Sequence, residues 1–163
     1  MLLRTRALLL LVATLLVTTA CGSGGGDKAG RSRVDGFGEI AYRVEGSTAR
    51  RCALLAETAA QHGQGLMNRR DLAGYDGMLF VFEADTGAQF YMKDTLIPLS
   101  IAWFDAAGRF VSSTDMVPCL TSSDCPLYPA AGPYRYALEV EKGGLGPLGI
   151  GPGTVLSIGG ACG

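Results

Sequence analysis

The residues with the clearest chemical potential lie between Gly65 and Leu99, where polar side chains alternate with short apolar runs. An arginine offers a planar fork of donors to a carboxylate or a phosphate, and ligand sites commonly combine aromatic rings with a few convergent polar groups. This combination predicts a cleft for a small anionic or sugar-like ligand. The candidate ligand-binding residues are Arg69, Asp76, Tyr91, Lys93, Asp94, Thr95 and Tyr128.

A simpler role is open to the same polar residues. Arg69 is followed by Asp71 and Asp76. An ion pair with either carboxylate would only hold the loop in place, and exposed pairs of this kind contribute little stability. Loop pinning and ligand binding are compatible, so the sequence leaves both roles open for Arg69.

Catalytic roles are less well supported by the residue pattern. The chain has no G-x-S-x-G motif, and a Ser–His–Asp arrangement would have to use His62, its only histidine. On a short predicted helix without a partner motif, His62 is expected to be a surface or loosely packed residue. Asp76 and Asp94 could act as paired carboxylates, although polar residues at strand ends are usually solvated. We favour a non-enzymatic binding or accessory module, with a hydrolase-like protein as the alternative.

Methionines suggest a second alternative, a metal-handling protein. Met67, Met78 and Met92 could supply soft thioether ligands to Cu(I) outside the cytoplasm. The chain has no Met-x-x-Met spacing, and methionine is also a routine filler of irregular cores. Core packing is the favoured interpretation and no cofactor is predicted. A purely structural envelope protein is the third alternative.

The first twenty residues are typical of a secretory signal peptide. Arg4 and Arg6 precede the apolar run Leu8–Val17, which is too short to be preferred as a spanning helix. Cys21 follows a small residue and precedes a Gly/Ser run, which resembles the lipobox of bacterial lipoproteins, with Thr18 where Leu or Val is usual. Ordinary cleavage would instead leave Cys21 as a free thiol.

The predicted organisation is therefore a signal peptide (residues 1–20), a lipidated cysteine with a flexible Gly-rich tether (21–36) and one globular domain (37–163). The fourteen basic residues of the chain fall to twelve without Arg4 and Arg6, against fifteen acidic ones. This balance gives no electrostatic footprint for nucleic acid. We expect an exported protein on the outer face of the membrane. Its expected partners are the membrane, through the lipid, and a small molecule or an envelope protein.

Four further cysteines predict two disulfides. Four cysteines allow three pairings. Cys119 and Cys125 bracket a short polar loop and pair most naturally with each other, which leaves Cys52 with Cys162. That second bridge requires the first and last core strands to lie side by side. A metal cluster or a redox pair fits less well, because the chain has one histidine and no Cys-x-x-Cys.

Hydrophobic periodicity predicts an α+β domain, compact and mostly antiparallel, with about seven strands and one or two short helices. Thr58 and Gln61 form a predicted capping box at the start of a helix that runs to about Met67. One hairpin is predicted between Met78–Glu83 and Gln89–Met92, and another between Ser100–Phe104 and Arg109–Thr114. The remaining predicted elements are strands at Phe37–Val44, Arg51–Glu57, Tyr136–Glu141 and Thr154–Ile158, and one helical turn at Lys142–Leu148.

Five segments resemble a known family. They are GLMNRRDL, GMLFVF, FYMKDTLIPL, the PC…CP.Y loop and YALEV, and they carry a similarity to domain of unknown function 192 that extends from Cys52 to Ile158. The resemblance implies a compact, mostly β domain, often exported or lipid-anchored, with no established activity. The matching motif positions are Gly65, Leu66, Met67, Arg69, Gly77, Met78, Leu79, Phe80, Met92, Thr95, Pro98, Leu99, Pro118, Cys119, Cys125, Pro126 and Tyr128.

The chain departs from the family pattern at three positions. Tyr91 stands where the family usually has Trp, and Asp94 where it usually has Asn. Ser100 replaces a common Asp, which weakens any interpretation that requires a carboxylate at this residue.

Overall fold

The computed structural model describes residues 30–120 and 124–163. The predicted signal peptide, Cys21 and most of the predicted tether lie outside these residues. The described helix has only six residues, so no helix in this part of the chain has the length and hydrophobicity of a membrane span.

A curled seven-stranded sheet forms the body of the domain, with strand order β6-β5-β8-β3-β2-β1-β9. A separate two-stranded sheet contains β4 and β7. The structure confirms the predicted mostly antiparallel, β-rich fold, with one parallel pair, β2 with β3. The elements are β1 (Gly38–Val44), β2 (Arg51–Ala56), α1 (Ala59–Gln64), β3 (Gly77–Thr86), β4 (Phe90–Tyr91), β5 (Leu99–Phe104), β6 (Phe110–Met116), β7 (Leu127–Tyr128), β8 (Tyr134–Glu141) and β9 (Leu156–Ile158).

The predicted hairpin between Met78–Glu83 and Gln89–Met92 is wrong. β3 pairs with β2 on one side and β8 on the other, while β4 pairs with β7. Successive β3 residues enter two different cores: Met78 and Phe80 belong to one hydrophobic cluster, and Leu79 belongs to the other. β2 and β8 occupy the two edges of β3, so neither edge is left for a hairpin partner at Gln89–Met92.

The hairpin predicted between Ser100–Phe104 and Arg109–Thr114 is confirmed. β5 and β6 pair antiparallel from Leu99 opposite Met116 to Phe104 opposite Phe110. All six residues of β5 are buried, because its two faces pack in different hydrophobic clusters, Ile101 in one and Ala102 in the other. β8 pairs with the other edge of β5 and lies between β5 and β3 in the interior of the sheet.

The short helix α1 begins at the predicted capping box. Thr58 Oγ1 accepts a hydrogen bond from the Gln61 backbone N–H at 3.3 Å, and Gln61 Oε1 accepts from the Thr58 N–H at 2.9 Å. The helix ends at Gln64, earlier than the predicted Met67, because Gly65 adopts a φ of 45°. No helix forms at the predicted turn over 142–148, although the Leu148 N–H bonds the Gly144 carbonyl at 3.3 Å.

Both predicted disulfides are confirmed. Cys52 is joined to Cys162 across 110 residues, and Cys119 to Cys125 across 6. β9 pairs with β1, and β1 pairs with β2, so the end of the chain returns to its first strands as the long bridge requires. The bridged cysteines Cys52 and Cys162 are 3% and 1% exposed.

The described N-terminal residues pack on this same end of the domain. Arg31 donates to the Cys162 carbonyl at 3.0 Å and lies over the Tyr75 ring. The Ser32 N–H donates to the Ala73 carbonyl at 2.9 Å. Arg31 and Ser32 belong to the predicted tether (21–36), whereas these contacts attach them to the folded domain.

Candidate functional site

A cavity of about 100 Å³ lies between α1, the loop that follows it, and strands β3, β4 and β8. Its walls are largely apolar. Five of the positions that carry the family resemblance line it, although they are far apart in sequence. These positions are Gly65, Leu66, Met67, Phe80 and Thr95.

Two backbone segments hold the motif residues together. The Asn68 N–H donates to the Asp94 carbonyl at 2.7 Å, which joins the loop after α1 to the turn after β4. Asp94 has a φ of 53°, a left-handed conformation in which Asn and Asp are better tolerated than most residues. The departure from Asn to Asp at this position therefore keeps a side chain that suits the backbone.

Glu139 is the most unusual residue of the cavity wall. It lies on β8 opposite Met78 and Ile101, both fully buried, and is itself 4% exposed. Burial raises the pKa of its carboxyl group to about 8, with no charged neighbour contributing to the shift. Within residues 30–120 and 124–163, no donor is hydrogen-bonded to this carboxyl group. A carboxyl group with a strongly raised pKa and no protein partner, placed in the wall of a cavity, marks a candidate site.

The only tryptophan of the chain lies on the same face of the sheet. Trp103 is opposite Ala137, two residues before Glu139 on β8, and residues two apart on a strand face the same way. Its indole Nε1 is buried with no hydrogen-bond partner among the described residues. The core beneath the cavity thus has an unpaired donor, Trp103, and an unpaired carboxyl group, Glu139.

His62 forms the α1 side of the cavity, where it is half-buried and more closely packed than a loosely packed surface residue would be. Its ring packs on Phe82 with centroids 4.4 Å apart. Nε2 lies 3.1 Å from the carbonyl oxygens of both Ala56 and Val81. Since carbonyl oxygens only accept, Nε2 carries the proton and donates, which leaves Nδ1 of the neutral ring as an acceptor.

Aromatic rings make up much of the remaining wall. Phe80 and Phe90 meet edge-to-face at 5.0 Å. Tyr91 is 40% exposed and donates its hydroxyl to the Gly63 carbonyl at 3.3 Å, which joins β4 to the end of α1 across the rim. The loop at Cys119 supports this rim from outside, because the Cys119 N–H donates a hydrogen bond to the Met92 carbonyl at 3.1 Å.

Two of the seven predicted ligand-binding residues, Tyr91 and Thr95, line the cavity. Arg69 lies 4.0 Å from the Asp71 carboxylate and donates to the Asp71 carbonyl, which is the loop-pinning role. Asp76 accepts from the Cys52 N–H at 2.8 Å and pairs with Arg51 at 3.4 Å. Asp76 therefore holds the start of β2, and the carboxylate that pairs with Arg69 is that of Asp71.

The other three predicted residues lie outside the cavity wall. Lys93 forms a backbone bridge with Cys119, and the Asp94 N–H donates to the Cys119 carbonyl at 3.1 Å. Tyr128 packs against the core and accepts from the Val117 N–H at 3.1 Å. Lys93 and Asp94 therefore lie in the turn after β4 and Tyr128 lies in β7, all outside the cavity wall. The Lys93 side chain is exposed.

Sequence reasoning missed Glu139, the residue with the most perturbed environment. In YALEVE, Glu139 and Glu141 look equivalent, yet Glu141 is exposed at the strand end. The one available signal was the position of Glu139 between Leu138 and Val140 in a strand. This position indicates a buried Glu139 only when β8 is known to lie between two other strands of the sheet.

Two of the three methionine candidates lie in the core. Met78 and Met92 are fully buried, and of the three candidates only Met67 lines the cavity. One other group of potential ligands, Glu39 with Cys52 and Cys162, has its atoms within 4.8 Å. Because both of those sulfurs form a disulfide, they are not free thiolate ligands.

The departure at Ser100 is accommodated by the opposite strand. Ser100 is 1% exposed, and its hydroxyl donates to the Asp115 carboxylate at 2.6 Å while accepting from the Gly143 N–H at 2.9 Å. Asp115 on β6 lies directly opposite Ser100. A carboxylate is therefore present beside this position, supplied by Asp115 on the neighbouring strand.

The chain matches a family model and is similar to solved structures. The family model DUF192, described as Uncharacterized ACR, matches residues 41–158. A crystal structure from Sinorhizobium meliloti 1021, described as a candidate transcription regulator, is similar at 29% identity and a TM-score of 0.67, covering 78% of this chain and 98% of that one. A protein of unknown function from Novosphingobium aromaticivorans DSM 12444 is 32% identical, with a TM-score of 0.66, covering 78% and 90%. No curated protein matches the chain.

Proposed function

The chain belongs to the uncharacterised DUF192 family, and from this premise we propose that it is a small-molecule-binding module of the cell envelope whose site is the Glu139 cavity. The observation that carries the proposal is an unpartnered carboxyl group, 4% exposed, in the wall of a cavity lined by the residues of the family resemblance. A hydrogen-bonding ligand would give that carboxyl group a partner in a site partly shielded from water, where such a bond is stronger than in bulk solvent.

The chemistry of the wall defines the ligand. Among the described residues that line the cavity there is no Arg or Lys, and Glu139 is the only carboxylic acid. An anionic ligand, the first expectation from the sequence, would meet a carboxyl group and no cation. A compact apolar body with a hydrogen-bond donor fits the rings and Glu139 better.

The size of the cavity limits the buried part of the ligand. An apolar cavity of about 150 Å³ holds benzene in another protein. The cavity beside Glu139 is about 100 Å³. A group of about five heavy atoms therefore fits inside, and any larger part of the molecule would extend past Tyr91 into solvent.

We predict that tert-butanol, a compact neutral probe, binds in this cavity with a dissociation constant on the order of millimolar. The measurement is NMR of the methionine methyl groups and of His62. Saturable shifts are expected at Met67 and His62, both in the wall, with much smaller shifts at the core methionine Met116.

Ala88→Trp should abolish these shifts, because Ala88 is an exposed residue of the cavity wall and the larger side chain can cover the opening. Ala107→Trp, in the exposed turn between β5 and β6, is the matched control and should bind normally. The binding proposal is wrong if tert-butanol, tert-butylammonium and trimethylacetate all leave Met67 and His62 unperturbed.

We also propose that the module is exported and anchored through a lipid on Cys21. The two disulfides support this location, since structural disulfides persist mainly in oxidising compartments. Intact mass spectrometry of protein extracted gently from membranes should give a lipid adduct and the loss of four hydrogens for two disulfides. Cys21→Ser should move the protein to the soluble fraction. An unmodified Cys21 in the membrane-extracted protein would contradict the anchor.

Nucleic-acid binding has no support from the charge of this chain. The word regulator describes the Sinorhizobium protein. Here fourteen basic and fifteen acidic residues give a net charge of −1. Proteins that bind nucleic acid generally need a basic surface to neutralise phosphates.

A further inference from the structure

We infer that the group received by the cavity is an alkylammonium cation, which lies among the rings of Phe80, Phe82 and Phe90 and pairs with the carboxylate of Glu139. This inference rests on the proposed binding function and specifies its ligand class. It follows from three properties of the wall: its rings, its charge and the direction of its hydrogen bonds.

The rings provide the first argument. Phe80, Phe82, Phe90 and Tyr91 all line a cavity of about 100 Å³, so a small group inside it lies close to several aromatic rings. The face of an aromatic ring is electronegative and attracts a cation, more strongly where the site is shielded from water. Sites that recognise alkylated ammonium groups use several rings in this way. A neutral hydroxyl group gains no comparable attraction.

The charge of the wall provides the second argument. The titratable groups that line the cavity are His62 from α1, Tyr91 from β4 and Glu139 from β8. In this described part of the chain, no Lys, Arg or Asp joins them. One monovalent cation would therefore be neutralised by one ionised Glu139 carboxylate. An anion would have no basic side chain to pair with except a protonated His62.

The hydrogen bonds of the wall provide the third argument. The His62 N–H is directed to the carbonyls of Ala56 and Val81, which leaves its Nδ1 as an acceptor. The Thr95 hydroxyl, 4% exposed, donates to the Lys93 carbonyl at 3.3 Å, so its oxygen retains acceptor capacity. With the Glu139 carboxylate, these three side chains of the wall offer acceptors, while the amides of Gln64 and Gln89 lie at its exposed rim. An alkylammonium group has several N–H donors and complements such a set.

Binding should release a proton. Because burial raises the pKa of Glu139 to about 8, its carboxyl group is mostly protonated at pH 7 in the empty cavity. A cation stabilises the carboxylate, so the carboxyl O–H gives its proton to solvent as the ammonium N–H···O⁻ contact forms. The overall exchange is one cation bound for one proton released, and the charge of the cavity stays balanced.

The test compares three probes with the same tert-butyl body: tert-butylammonium, tert-butanol and trimethylacetate. On the full folded protein, calorimetry at pH 7 in two buffers of different ionisation enthalpy measures protons released. We expect tert-butylammonium to bind at least tenfold more tightly than tert-butanol and to release about one proton. Its affinity should rise about tenfold from pH 6 to pH 7 and level off above pH 8, as a one-proton linkage requires.

Glu139→Gln should remove both the proton release and the preference for the cation, while tert-butanol still binds. Glu141→Gln, an exposed change on the same strand, is the control and should behave as wild type. Equal binding of tert-butanol and tert-butylammonium without proton release would overturn the ammonium inference and leave the binding function standing. Tightest binding of trimethylacetate would also overturn it. Failure of all three probes would reject the binding function itself.

Discussion

Replacing both Cys52 and Cys162 with Ala should lower the free energy of unfolding by about 5 kcal/mol, since cross-linking a loop of this length restricts the unfolded chain strongly. The bridged residues are separated by 110 positions, and both are almost fully buried. Most domains of this size are stable by about 5–15 kcal/mol. The double variant should therefore be close to the limit of folding at 37 °C.

The shorter disulfide provides a matched control. The double variant Cys119→Ala, Cys125→Ala removes a bridge between residues only 6 positions apart. The same chain-entropy treatment gives a loss of about 2.4 kcal/mol in the free energy of unfolding. Urea denaturation of both double variants under non-reducing conditions measures the two losses. Equal losses, or a greater loss for the Cys119–Cys125 pair, would contradict the loop-length explanation.

Between pH 4.5 and pH 8, the free energy of unfolding of the wild type should fall by up to about 5 kcal/mol more than that of a Glu139→Gln variant. Burial raises the pKa of Glu139 from 4.5 to about 8. The folded state therefore binds this proton more tightly than the unfolded state does. The contribution is fully present below the unfolded pKa and is lost as the pH rises through the folded one. At 1.36 kcal/mol for each pH unit, this interval corresponds to about 5 kcal/mol.

The measurement is a series of urea denaturations from pH 4.5 to pH 9 for wild type, Glu139→Gln and Glu141→Gln. Subtracting the Glu139→Gln curve removes the contributions of all other titrating groups that the two proteins share. Glu141→Gln, at an exposed position, should run parallel to wild type. Parallel curves for wild type and Glu139→Gln would show that Glu139 has an ordinary pKa in the folded protein.

Local chemistry made part of this structure predictable. The capping box at Thr58 and Gln61 depends on residues three apart, and the β5–β6 hairpin depends on two strands joined by a short turn. The Cys52–Cys162 pairing followed from the short spacing of the other two cysteines. In each case the interacting groups, or the constraint that pairs them, could be identified from spacing alone.

The parts that could not be predicted depend on distant pairing. The sequence does not reveal that β3 lies between β2 and β8, since both partners are separated from it by other elements. The burial of Glu139 also depends on distant pairing, because its neighbours Met78 on β3 and Ile101 on β5 belong to the core cluster on that face of the sheet. The cavity residues Phe82 and Glu139 were therefore missed, whereas Tyr91 and Thr95 were found within a local motif.

The curl of the main sheet has a consequence for self-association. The Phe110 N–H donates to the Thr154 carbonyl at 2.9 Å and the Leu156 N–H to the Gly108 carbonyl at 2.8 Å, so the edges near β6 and β9 meet at one end. An exposed strand edge can recruit a strand of a second molecule and begin aggregation. Here part of that edge is already paired, and the Ala131 N–H reaches Ser112 of β6. These contacts reduce the length of strand edge on which a second copy of the described domain could pair.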